Sequence, residues 1–358
     1  MKSSDMNVRN AASGSTEFPW KWKLADLEGR PKNGRKVFSC FSCGGGSSMG
    51  YKLAGYDVIG CCEIDPDMMK LYERNNHPEH GYLMDIRDFA KLPEEKLPNE
   101  LKELDVLDGS PPCSVFSMAG SREDGWNVEK TFREGQVKQR LDDLFLHFLE
   151  VAKRLQPKVV IAENVKGLIT GNAKGWVNQI VSAFDEAGYS VQIFLFNSAR
   201  MGVPQKRERV FFIAGRKDLG FPKLLMHFGS RPIPFAEVRE PYGKELSGTN
   251  QAGKLMKYRI PSDRSLQDIN MRVTKKKSGF TSPINHDDEP VQTITAGGYC
   301  FRMCDGLLMT DRDIISCQTF PQDYDFMDQN VQYVCGMSVP PVMMAKIAEQ
   351  VYMQWLKE

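Results

Sequence analysis

No run of apolar residues in this 358-residue chain approaches the roughly eighteen needed to cross a bilayer. The polar N-terminus has no apolar core of the kind a secretory signal carries, and both absences point to a cytoplasmic protein with no membrane partner. Net charge is only +1, so no global electrostatic signature for nucleic acid exists. No G-x-G-x-x-G occurs and no histidine is obviously placed for hydride transfer, which counts against a dinucleotide-dependent dehydrogenase. Cys40-x-x-Cys43 has zinc-like spacing, but no second pair of that spacing follows, so no metal is expected. Nine cysteines, an odd count, do not read as a disulfide framework in a cytoplasmic chain. Internal repeats are also missing.

What remains is an ordinary globular composition, 41% apolar and 26% charged, long enough for one large α/β domain and a smaller one. Phe18, Trp20, Trp22 and Leu24 alternate in an otherwise polar start, as in a short arm that packs on the body. Val37–Phe41 reads as a strand, followed by a Gly-rich turn at Gly44, Gly45 and Gly46 and a helix to Ala54. Such a turn lets a ligand approach the backbone at a helix N-terminus. The next strand, 56–62, runs into Glu63, placed to accept hydrogen bonds from ribose hydroxyls. Loop and acid together specify an adenosine-containing cofactor. Asp85 follows a third strand, where it could meet an adenine amine or simply sit near a helix start.

Leu104–Asp108 reads as a buried strand stopped by Pro111-Pro112, which leaves Cys113 on a stiff turn at a strand end. Ligands bind at that edge of a parallel sheet, so Cys113 is a candidate nucleophile. The polar stretch Ser117–Arg140 has the length and composition of a lid. The spacing predicts a helix over 141–155, a buried strand Val159–Ala162 ending in Glu163, a helix over 178–187 and a strand over 189–197. Alternation puts Gln205, Arg207 and Arg209 on one face, a pattern suited to phosphates or carboxylates. From 218 to 301 regularity gives way to Pro, Gly and Lys, and residues 250–280 hold eight basic against two acidic side chains, as phosphate binding requires. Thr310 is placed to cap a helix, and a last helix spans about 342–357.

In this order the motifs resemble those of the DNA cytosine-5 methyltransferases, over nearly the whole chain from Lys36 onward. Phe41–Gly46 is similar to the family's F-x-G-x-G-G loop, Glu63 to its ribose-binding acid, Pro112-Cys113 to its Pro-Cys nucleophile and Glu163-Asn164-Val165 to its E-N-V. Gln205, Arg207 and Arg209 match Q-x-R-x-R; Thr310, Asp313, Gln318, Phe320 and Pro321 resemble the helix motif, and Gly336-x-Ser338-Val339-Pro340 the closing cofactor motif. Cys43 for glycine, Ser114 for glutamine, Asp313 for glutamate and Met337 for asparagine are departures, none of which removes a bond-making group.

The resemblance implies a Rossmann-like, S-adenosylmethionine-dependent fold with a mixed, mostly parallel sheet and a small irregular DNA-recognition domain. The implied division is an arm over 1–34, a catalytic domain over 35–217, a target-recognition domain over 218–301 and a return to the catalytic domain over 302–358. It implies catalysis by Cys113, Glu163, Arg207 and Arg209, and cofactor contacts from Phe41, Ser42, Gly44, Gly45, Gly46, Glu63, Ile64, Asp85, Ile86, Pro112, Leu144 and Ser338. Cys113 would attack carbon 6 of a flipped cytosine, with Glu163 at ring nitrogen 3, Arg209 on the ring carbonyl and Arg207 bracing Glu163 or the lid. Double-stranded DNA is the implied partner of a monomer, beside which a separate restriction endonuclease could act. Transfer-RNA methylation and a catalytically silent DNA-binding homologue are the competing readings.

Overall fold

The computed structural model describes residues 17–112, 143–170, 174–246, 250–277, 279 and 281–357. Strands β1 (Lys36–Cys40), β2 (Asp57–Glu63), β3 (His80–Leu83), β4 (Val106–Gly109) and β5 (Val159–Val165) lie parallel, with a register shift between β1 and β2 after Val37. Beyond β5 come β6 (Tyr189–Asn197), the two-residue β7 (Gln205–Lys206) and β8 (Glu208–Arg216). β8 runs antiparallel between β5 and β6, which completes a seven-stranded sheet ordered β3-β2-β1-β4-β5-β8-β6. The near-continuous apolar runs of β4 and β5 follow from burial on both faces.

Strand order reverses between β1 and β4, whose last paired residues are Cys40 and Gly109. A reversal of this kind opens a crevice at the carboxyl ends of the strands. The Gly-rich turn leaves β1 at that crevice, and the Pro-Pro turn leaves β4 beside it.

Helices α1 (Gly46–Leu53), α2 (Pro66–Asn76), α3 (Ile86–Phe89), α4 (Asn99–Lys102), α5 (Leu144–Leu155) and α6 (Lys174–Glu186) cover the sheet. α2 starts where Asp65 accepts from the amides of Asp67 and Met68, with Pro66 at its first turn. α6 begins four residues earlier than the spacing predicts, because Trp176 and Val177 extend its apolar contact with the core.

The small helices α7 (Gln251–Met256) and α8 (Leu266–Thr274) and the short strands β9 (Ile284–Asn285), β10 (Val291–Gln292) and β11 (Phe301–Arg302) build the irregular part. Ala252, Met256, Leu266, Ile269, Ile284 and Phe301 make a separate small core there, whereas Leu224, Ile233, Phe235 and Val238 pack into the main core. The small core thus starts later than the change in composition at 218.

The chain then forms α9 (Asp311–Cys317), α10 (Val331–Met337) and α11 (Pro341–Val351), and ends in one π turn, Tyr352–Leu356. The last α-helix is therefore shorter than the spacing predicts. α11 lies so close to α1 that a Cβ on Gly50 would stand 2.5 Å from Met344 Cβ. Phe18 and Trp22 are buried in the same core, and Trp22 donates to the Thr319 carbonyl at 2.8 Å.

Candidate active site

The turn after β1 is shaped by backbone. Phe41, Cys43 and Gly45 all have positive φ, and the Gly45 amide closes the turn on the Ser42 carbonyl at 2.8 Å. Cys43, at φ +43°, occupies a left-handed position that favours glycine, the residue the family pattern has there. Burial and the nearby Glu63 push its thiol up to about 12. Gly44 and Gly46 are required for space: a Cβ on Gly44 would collide with Val334, and one on Gly46 would meet the Val339 carbonyl and stand 2.9 Å from Ser338 Cβ. Overpacking of this kind costs about 1–3 kcal/mol. Gly46→Ala is accordingly expected to lower the melting temperature and to weaken binding of an adenosine-bearing ligand at the turn, read by thermal denaturation and titration calorimetry.

Glu63, at the end of β2, is buried, and its carboxylate accepts the amides of Cys43 at 2.8 Å, Ile64 at 2.8 Å and Asp65 at 3.0 Å. Burial raises its pKa, with those amides pulling the other way. A carboxylate has about four lone-pair sites, so one remains for a ribose hydroxyl. Asp85 caps α3 and pairs with Arg87 at 3.0 Å, so its carboxylate is already engaged. Ile86 and Leu144 are buried in the core beneath, where Phe41 and Phe148 approach ring to ring. Ser338 donates to the Val334 carbonyl at 2.8 Å. Phe41, Ser42, Gly46, Asp108, Ser110, Met337 and Ser338 line one small cavity at this point.

Ser110 and Met337 also line a cleft of about 880 Å³, with Pro111, Pro112, Glu163, Arg207, Arg209, Arg264 and the stretch 295–299. Cys113 and the stretch to 142, including the predicted lid, lie outside the described residues. Pro112, the residue before Cys113, faces the cleft, and Asn164 Nδ2 donates to the Pro111 carbonyl at 3.0 Å, pinning the turn. Arg209 Nε donates to Glu163 Oε1 at 2.9 Å. Burial lowers the Arg209 pKa, and Glu163 opposes that shift.

The two arginines do not act as a pair, because Arg207 falls in the break between β7 and β8. Its guanidinium turns to the carbonyls of Ile294 at 3.1 Å and Gly336 at 2.9 Å. Arg209, not Arg207, braces Glu163. Gln205 is buried further back, with Nε2 on Gln318 Oε1 at 2.5 Å and Oε1 accepting from the Ile294 amide at 2.9 Å. The remaining lone pair of Glu63 beside the Gly-rich turn suits a ribose hydroxyl, and the Glu163–Arg209 pair gives the cleft an acidic and a basic group side by side.

The matching family model, C-5 cytosine-specific DNA methylase, covers residues 35–279. The chain belongs to that family. This methylase is 30% identical to the type II methyltransferase M1.HphI of Haemophilus parahaemolyticus, over 87% of this chain and 85% of that one. It is 26% identical to M.NgoPII of Neisseria gonorrhoeae, over 88% and 95%. Its fold matches an Escherichia coli prophage-encoded protein described as a DNA modification methyltransferase, with a TM-score of 0.67 at 19% identity over 90% of this chain and 100% of that one. A Spodoptera frugiperda DNMT2 variant matches with a TM-score of 0.61 at 16% identity, over 89% and 99%. The methylase is a DNA cytosine methyltransferase, and its family and fold imply S-adenosylmethionine as methyl donor in general.

Several residues of the methylase site have contacts that the sequence does not show. Tyr324 donates to the Gly44 carbonyl at 2.8 Å from 280 positions away, and Gln318 holds the carbonyls of Cys335 and Ser338 at 2.7 and 2.8 Å. Asp108 is a buried acid inside an apolar strand. Of the basic stretch, Arg259, Arg264 and Arg272 are spent on Met303, Glu289 and Asp263, while Lys254, Lys257, Lys275, Lys276 and Lys277 are exposed. Among the described residues no helix is long and apolar enough to cross a membrane.

Proposed function

We propose that this methylase transfers a methyl group to carbon 5 of a cytosine flipped out of duplex DNA, through a covalent bond from Cys113. The observation that carries the reading is the single cleft that brings together the Pro111-Pro112 turn leading to Cys113, the Glu163–Arg209 pair and the edge of the basic small core. Carbon 5 of cytosine is a poor nucleophile, and attack of a thiolate on carbon 6 makes it enamine-like. Cys113 provides that thiolate, on a turn that Asn164 fixes. Glu163, as a carboxylic acid, hydrogen-bonds ring nitrogen 3 as negative charge develops on the ring, and Arg209, whose Nε fixes the Glu163 side chain and whose Nη1 donates to the Glu208 carbonyl, holds the ring carbonyl with its other terminal nitrogen. Arg207 ties the segment after β10 to the last turn of α10 and so shapes the cleft wall.

Phe41, Ser42, Gly44, Gly45, Gly46, Glu63, Ile64 and Ser338 hold S-adenosylmethionine, which when bound supplies an electrophilic methyl group. Pro112 walls the site, Asp85 positions α3 through Arg87, and Ile86 and Leu144 support the floor. A base inside a duplex is out of reach, so flipping is required. Residues 218–301 act as the target-recognition part, with the exposed lysines of 254–277 on phosphates. The protein acts as a cytoplasmic monomer, and any cognate endonuclease is a separate chain.

Methyl-labelled cofactor with mixed-sequence duplex DNA and with transfer RNA tests the substrate. Label in 5-methylcytosine of the DNA alone is expected, and bisulfite sequencing then gives the site. Label in the RNA alone would overturn the reading.

A further inference from the structure

We propose that Asp108 anchors the cationic methionyl end of the methyl donor, an assignment that rests on the S-adenosylmethionine reading above. Asp108 stands near the end of β4, only 3% exposed, opposite Ser39 of β1. Its Oδ2 accepts from Ser39 Oγ at 2.9 Å and its Oδ1 from the Tyr51 hydroxyl at 3.3 Å. Ser47 is a third hydroxyl partner, so of about four lone-pair sites one remains. The residue lines the small cavity with Ser39, Ser47, Ser110 and Ser338.

No lysine, arginine or histidine among the described residues pairs with this carboxylate. A buried carboxylate without a counter-cation is costly, and burial pushes Asp108 up to about 7. Among the described residues its surroundings add no positive charge. Cys40 of β1, Tyr51 of α1 and Tyr72 of α2 are buried groups held neutral by their raised pKa values, and Glu163 of β5 adds negative potential. A cationic ligand in the cavity would supply the charge that the described residues do not.

Sheet order supports the direction in which the donor lies. Glu63 ends β2 on one side of β1, and Asp108 ends β4 on the other, so the adenosine and the amino-acid end fall on opposite sides of the β1 turn. S-adenosylmethionine carries an ammonium and a sulfonium at that end. 5′-Methylthioadenosine keeps the adenosine and has neither.

The test is titration calorimetry of the full chain and of Asp108→Asn with S-adenosylmethionine, S-adenosylhomocysteine and 5′-methylthioadenosine. Asp108→Asn is expected to lose about 10- to 100-fold in affinity for S-adenosylmethionine and to bind 5′-methylthioadenosine as the wild type does. An equal loss for S-adenosylhomocysteine puts the ammonium on the carboxylate, and a loss confined to S-adenosylmethionine puts the sulfonium there. Unchanged affinity of the variant for S-adenosylmethionine would overturn the assignment.

Wild-type protein alone gives a second readout that does not depend on how the variant folds. Its affinity for S-adenosylmethionine should fall as pH drops through about 7, where Asp108 takes up a proton, while that for 5′-methylthioadenosine stays level. Parallel profiles would also overturn the assignment. Wild-type protein that binds neither compound would instead remove the cofactor reading on which the assignment stands.

Discussion

Glu163→Gln is expected to lower the single-turnover rate of methyl transfer by about 10²- to 10³-fold, with affinity for the methyl donor close to that of the wild type. Glutamine is nearly isosteric and can still accept from Arg209 Nε, so the 2.9 Å contact survives while the acid proton that a carboxyl group shares with ring nitrogen 3 does not. The loss falls on the transition state, because charge builds on the cytosine ring only during attack by Cys113. It also leaves Arg209, buried beside Glu163, without its anion. Rapid-quench measurement with saturating labelled donor and duplex DNA separates this from a binding defect. A rate within a few-fold of the wild type would show that Glu163 does not hold the ring.

Arg302→Met is expected to destabilise the protein by about 3–5 kcal/mol, the range for breaking a buried ion pair by removing one partner. Arg302 is fully buried, with one terminal nitrogen 3.4 Å from Asp313 and the other 3.0 Å from Asp305. Asp313 is itself fully buried and accepts from the amides of Glu240 at 2.6 Å and Thr310 at 2.8 Å, so it joins the small core, the segment before it and α9. Methionine fills much of the space but leaves that carboxylate without a cation. Equilibrium urea unfolding reads the change, and DNA affinity should fall with it, because the small core forms one wall of the cleft. A change below about 1 kcal/mol, typical of a solvent-exposed pair, would mean that the Arg302 cluster does not hold the two cores together.

The same cluster explains a departure from the family pattern. Asp313 stands where glutamate is usual, and the shorter side chain still completes a reciprocal cap with Thr310 while reaching Arg302. The Thr310 cap is legible because capping depends on residues three positions apart. The Arg302 contact with Asp313 is not, because the two lie 11 positions apart on a two-residue strand and a helix that no periodicity links.

That contrast holds for the rest of the chain. β1, β2 and β6 fall within a residue of the spans that strand periodicity predicts, the Gly-rich turn and Glu63 stand at strand ends, and Glu163 lies inside β5, which runs on to Val165 beyond the predicted end at Ala162. Local pattern dictates those features. The fate of Gln205, Arg207 and Arg209 is set by distant partners: alternation gives them one face, but Arg207 turns to Ile294 and Gly336, more than 80 positions away. Asp108 reads as part of an apolar run, and only the structure reveals an acid facing a cavity. Leu224 to Val238 look by composition like the irregular segment, yet their apolar side chains reach the main core.

The central claim is that the thiol of Cys113 attacks the ring, and it is open to direct capture. Fluorine at carbon 5 cannot leave as a proton does, so a mixed-sequence duplex with 5-fluorocytosine in place of cytosine should stop the reaction after methyl transfer. The expected result is a DNA–protein adduct that survives denaturation, maps to the peptide containing Cys113 and disappears in Cys113→Ser. Normal methyl transfer to ordinary DNA with no adduct on the fluorinated duplex, or an adduct that persists in Cys113→Ser, would contradict the account.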